Sequence, residues 1–122
     1  MVNLMTIKKS IAITLFSIGL AFAAQVGATG LGPVVSQAYE VALSNFTAPA
    51  TTNGGVSFQE CDECERMTVR VTSDTRYTVS GRVVRLEDFK KAIFNVPNRK
   101  GVAVTVLHHL ESDTIESIDV SL

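Results

Sequence analysis

Cys61 and Cys64 are the only two thiols in this 122-residue chain, and they stand in a Cys-x-x-Cys spacing inside Glu60-Cys-Asp-Glu-Cys-Glu65. Three chemistries suit that pattern. A disulfide across the pair is favoured wherever the chain meets oxidising conditions. Thiol–disulfide exchange needs a stabilised thiolate, which in thioredoxin-like sites comes from a helix N-terminus beginning at the motif. Here the motif precedes a strand pattern, and the carboxylates of Glu60, Asp62, Glu63 and Glu65 disfavour a thiolate, which argues against a nucleophile. The third chemistry is metal binding. The same carboxylates attract a cation, and His108 or its neighbour His109 would complete a Cys₂His set for zinc with Cys61 and Cys64. Adjacent histidines on a strand point to opposite faces, so at most one of the two would reach such a site, with His108 the candidate. Zinc is the only cofactor with any support in the sequence.

The second constellation is cationic. Arg70, Arg76, Arg82 and Arg85 lie on or between two early strands. At alternating positions Arg70 shares a face with Arg82 or Arg85, and these three would form a patch for an acidic ligand such as a peptide carboxylate. The alternative is a solvated sheet face, where charge is the norm. No Ser-His-Asp arrangement, paired-carboxylate layout or Gly-rich phosphate loop stands out, so no enzymatic activity is expected.

The elements that would hold these residues follow from periodicity. Met67, Val69 and Val71 alternate with Thr68, Arg70 and Thr72, a half-buried strand. Tyr77 and Val79 continue the alternation. Ser80-Gly81 then turns the chain into Arg82-Val83-Val84, with Gly81 supplying a positive φ. A helix is expected from Leu86, with Glu87 and Asp88 at its positive end and Leu86, Phe89 and Ile93 on one face; Pro97 stops it. Val102 to Leu107 reads as a central strand covered on both faces. Asp113 and Glu116 resemble a capping box, so a helical turn passing into a strand is expected from Thr114. Upstream, Val35, Ala38, Tyr39, Ala42, Leu43 and Phe46 recur at three- and four-residue spacing, which predicts an amphipathic helix over 34–46. Residues 47–57, broken by Pro49, Gly54 and Gly55, read as a linker.

The first residues have another character. Lys8 and Lys9 precede an apolar run, Ile11 to Ala24, followed by small-x-small patterns at Ala21-Phe22-Ala23 and Val26-Gly27-Ala28. This is the form of a signal peptide cut after Ala28, or after Ala23 or Ala24. The alternative is an uncleaved anchor, because no charge occurs between Lys9 and Glu40 and a span needs roughly 20 residues. Removing 1–28 leaves 94 residues with nine basic and twelve acidic side chains, a net charge of −3. That length suits one small domain. That charge argues against nucleic acid and against anionic lipid surfaces as partners.

Three stretches carry a resemblance: Tyr77-Thr78-Val79-Ser80-Gly81-Arg82-Val83-Val84, then Leu86-Glu87-Asp88-Phe89, then Val102-Ala103-Val104-Thr105-Val106. Together they resemble the periplasmic domain of the ExbD/TolR family of biopolymer-transport proteins, over roughly residues 67–120. The resemblance implies a domain that dimerises in the periplasm and contacts protein partners or the cell wall. No proton-pathway residue maps onto this chain, because residues 10–39 contain no carboxylate.

The sequence thus predicts a signal peptide over 1–28, a helix and linker over 29–57, and an α+β domain over 58–122. The expected core is β-β-α-β with a short C-terminal helix or strand. The expected function is a non-enzymatic periplasmic or secreted interaction module with a protein partner in the envelope, homodimeric, and touching membrane only if the N-terminal segment stays uncleaved. The alternative is a metal-binding or thiol–disulfide-responsive protein using Cys61 and Cys64.

Overall fold

A computed structural model describes residues 33–122; the expected signal peptide and its cleavage sites lie outside them. Val34–Leu122 forms one compact unit built on a mixed sheet of eight strands. The strands are β1 (Ser36–Ala42), β2 (Phe46–Thr47), β3 (Gly55–Phe58), β4 (Met67–Arg70), β5 (Arg76–Val79), β6 (Arg82–Val84), β7 (Ala103–His109) and β8 (Thr114–Val120). A single α-helix, α1 (Leu86–Phe94), joins β6 to β7, and short 3-10 turns occupy 43–45 and 99–101.

This corrects the expected fold. The core is not β-β-α-β, and among the described residues no helix precedes it. The segment predicted as an N-terminal helix is β1, one 3-10 turn and β2. Tyr39, Val41 and Leu43 are buried while Glu40 is exposed, which is the period of a strand. Ala38 and Ala42 gave the helical spacing, but they are small and leave the core face to their neighbours. Pairing then decides: β1 runs antiparallel to β7 over its whole length, with Tyr39 opposite Val106 and Val41 opposite Val104. The expected linker likewise contains β3, which pairs antiparallel with β4. The tail is a strand throughout. Asp113 does not cap a helix; it takes a left-handed turn at φ 55°. Glu116 is the extra residue of a bulge, where Leu107 faces Ser117 and His108 faces Ile115.

The sheet order is β1-β7-β8-β4-β3-β2, and the β5–β6 hairpin also attaches to β8. So one edge of β8 carries β7, and the opposite edge is shared by two parallel neighbours. Arg70 of β4 faces Thr114 at its start, and β5 pairs with Ser117–Val120 further along.

Alternation puts Tyr39, Val41, Val69, Tyr77, Val104, Val106, Ile118 and Val120 on one buried face. Helix α1 packs on that face against β5, burying Leu86, Phe89 and Ile93. Phe89 is fully buried, with its ring 5.4 Å from Tyr77 and edge-on to Phe46 at 6.2 Å. The helix begins without a side-chain cap at Arg85; Glu87 and Asp88 in its first turn suit the dipole there. The opposite sheet face carries Ala38, Glu40, Thr105, Asp119, Arg76 and Thr78, and no helix among the described residues covers it. Strand β7 is therefore central but covered on one side, with Ala103 exposed and Leu107 half-buried.

Candidate functional site

On that open face a groove of about 610 Å³ lies where β7 ends, β8 begins, and β4 hands the edge of β8 to β5. It is lined by Arg70, Thr72, Asp74, Arg76, His109, Ser112, Thr114, Ile115 and Glu116. A second groove of about 540 Å³ adjoins it, sharing Arg70 and Ser112 and continuing past Gly54, Gly55, Thr68 and Asp113.

Pairing explains the convergence. Arg70 and Arg76 are outward positions, because their neighbours Val69 and Tyr77 point into the core. Their partners on β8, Thr114 and Ser117, are three residues apart, about 10 Å along a strand. Residues 71–75 loop out between them and are pinned to β8: buried Thr75 donates its hydroxyl to the Ile115 carbonyl at 2.7 Å. Its Oγ1 also accepts the Thr72 N–H at 3.0 Å.

The turn from β7 to β8 supplies the rest. His109 Nδ1 lies 3.3 Å from the Ser112 N–H and 3.0 Å from its hydroxyl, and that hydroxyl is 2.7 Å from the Thr114 hydroxyl. An Nδ1 that accepts from a backbone N–H leaves the ring proton on Nε2, making His109 a donor. Glu116 is held by the Ser36 hydroxyl. Among the described residues the ion pairs are Arg85–Asp88 and His108–Asp113, so neither Arg70 nor Arg76 is in one, and the carboxylates of Asp74 and Glu116 line the same groove. Beside the carboxylates of Asp74 and Glu116, the groove offers two guanidiniums outside any ion pair, an imidazole N–H and hydroxyls, donors suited to a carboxylate or phosphate.

Of the three arginines expected to bind, only Arg70 lies in the groove. Arg82 sits on β6, and Arg85 precedes α1 with Nε 3.5 Å from Asp88. Arg76, His109, Ser112 and Thr114 take the places beside Arg70. His109 was separable from His108 by strand alternation, which puts the two on opposite faces.

Cys61 and Cys64 sit at disulfide distance, with Cα atoms 5.0 Å apart, at the exposed tip of the β3–β4 hairpin. Gln59 organises that tip. Its side-chain amide donates to the Cys61 and Asp62 carbonyls at 2.9 and 3.1 Å, and its oxygen accepts from Arg66 at 2.9 Å. Asn45 fixes the loop from outside by donating to Asp62 at 3.1 Å. His108 is 7% exposed on the core face of β7, its ring 6.4 Å from that of Tyr39 and its Nε2 donating to Asp113 at 2.7 Å. Among the described residues no three His, Cys, Asp or Glu side chains are placed to hold a metal ion, so Cys61, Cys64 and His108 do not form such a group. Nor is any helix there long and apolar enough to cross a membrane.

Comparison with known proteins gives no match of this chain to any family model, curated protein or solved structure.

Proposed function

We propose that this chain is a non-enzymatic exported binding domain whose groove at Arg70, Arg76, His109 and Ser112 takes an anionic group, in the first place the carboxylate of a peptide. The observation that carries this reading is two arginines outside any ion pair, brought by β4 and β5 onto one edge of β8 beside an imidazole donor. A binding rather than a hydrolytic role fits the turn chemistry. His109 Nδ1 meets the Ser112 hydroxyl at 3.0 Å and its N–H at 3.3 Å, but among the described residues no carboxylate pairs with the ring to orient it as a general base. Export rests on the sequence alone: Lys8-Lys9, the apolar run to Ala24 and the small residues to Ala28. A Cys pair in a chain of this kind suits an oxidising compartment. The likeness of Tyr77–Val106 to the ExbD/TolR domains belongs to the same reading and supports a protein partner in the envelope.

Calorimetric titration with short peptides ending in a free carboxylate, and with their C-terminal amides as controls, tests it. The acid should bind, the amide should not, and binding should weaken as salt rises. Equal binding of both forms, or binding of neither, refutes it.

A further inference from the structure

Among the described residues the only phenylalanine left open to solvent is Phe94, 81% exposed at the C-terminal end of α1. The core face of the helix is complete without it, since Leu86, Phe89 and Ile93 fill that side. Its surroundings are cationic. Lys90, Ile93, Arg99 and Ala48 line a shallow groove on one side of the ring, and Lys90, Lys91 and Asn95 line another. Arg99 is held at the helix end by donating to the Ile93 carbonyl at 2.6 Å, and Lys90 reaches the Ala50 carbonyl at 3.4 Å. None of the three cations is in an ion pair among the described residues; of the two acids on the helix, Asp88 is paired with Arg85 and Glu87 is one turn before Lys91.

We propose that this end of α1 docks on an anionic lipid surface, with Phe94 entering the headgroup layer and Lys90, Lys91 and Arg99 contacting lipid phosphates. Charge decides the class of surface. The chain from Val34 onward carries a net −3, so three cations around one exposed ring form a local reversal that orients the domain toward negative charge. Shape decides between a bilayer and an acidic protein. A single projecting aromatic falls far short of the roughly 800 Å² per partner that a specific protein interface buries. It matches what an aromatic with flanking long-stemmed cations does at a headgroup layer, the ring inserted and the charges snorkelling outward. The net charge of −3 opposes anionic lipid only as a sum, which hides this patch.

The chain contains no tryptophan, so Phe94→Trp places a single indole reporter at the proposed contact. Because only residue 94 reports, binding through any other segment does not contribute. The full chain carrying F94W is titrated with phosphatidylglycerol-containing vesicles and with vesicles of phosphatidylcholine alone. The proposal expects a blue shift with the anionic vesicles only. K90E or K91E in the same background should each weaken that response by about fivefold or more. No shift with either vesicle, or the same shift with both, overturns it. A shift with polyglutamate in the absence of any with vesicles also overturns it and assigns the surface to an acidic polypeptide.

Discussion

Arg70 of β4 and Thr114 of β8 face each other in a single parallel bridge, and that one contact places a guanidinium from the first half of the chain beside the β7–β8 turn. Six residues later Arg76 meets the same edge of β8 opposite Ser117. The candidate site exists because β8 accepts two parallel neighbours in succession. Arg70 and Arg76 are exposed and contribute little to packing. Arg70→Ala and Arg76→Ala should therefore change stability by less than about 0.5 kcal/mol. Each should weaken carboxylate binding about tenfold or more, the usual weight of a hydrogen bond to a charged group. Calorimetry and chemical denaturation on the same variants check both halves.

Tyr77 offers a test that needs no ligand. Its ring is buried against Phe89, its hydroxyl has no hydrogen-bond partner among the described residues, and burial raises its pKa above 10.0. A raised folded pKa means that the neutral phenol is the form the fold holds. Its contribution is complete below about pH 10, the unfolded value, and is lost as pH rises toward the folded one. Tyr77→Phe should therefore leave stability at pH 7 unchanged or raise it by about 1 kcal/mol. The variant should also lose stability less steeply than the wild type above pH 10. Urea melts from pH 7 to 11 give the comparison; a variant weaker by more than about 1 kcal/mol at pH 7 would show that the hydroxyl is satisfied.

The β5–β6 turn should be sensitive to backbone and not to bulk. Ser80 and Gly81 have φ of 48° and 86°, the pattern of a type I′ hairpin turn. A Cβ at Gly81 would meet no atom within 4 Å. Gly81→Ala should thus cost only the left-handed backbone, about 1 kcal/mol. Thermal unfolding measures it, and a cost of several kcal/mol would mean a contact that this geometry lacks.

The Cys61–Cys64 pair is set to stabilise its own loop and little else. The two residues are only three apart, so loop-closure arithmetic allows about 2 kcal/mol or less for the bond. The loop also keeps the Gln59, Arg66 and Asn45 hydrogen bonds when the sulfurs are separated. Cys61→Ser with Cys64→Ser should lower stability within that limit and leave carboxylate binding intact. Binding lost along with the cysteines would move the function to the hairpin tip.

How much of this was legible in the sequence depended on the range of the interactions. Gly81, the start of α1 at Leu86 and the strand at Met67–Arg70 follow from neighbours a few residues away, and local pattern carries them. At β1, Ala38 and Ala42 fit a helical stripe, while the choice of strand is made by β7, more than 60 residues later. At β8, a bulge at Glu116 breaks the alternation just where Asp113 and Glu116 imitate a cap. The groove was half visible. Arg70 was singled out as an outward cation. Its pairing with Arg76 and His109, in place of Arg82 and Arg85, follows from parallel contacts to β8 that no short-range pattern encodes.

The most direct test of the central claim is an amide and side-chain NMR titration of the chain with a short peptide bearing a free C-terminal carboxylate. The account predicts that shifts concentrate at Arg70, Arg76, His109, Ser112 and Thr114, and that they vanish in the Arg70→Ala, Arg76→Ala double variant. Shifts centred on Cys61–Cys64 or on α1, or shifts at the groove that survive the double variant, would contradict it.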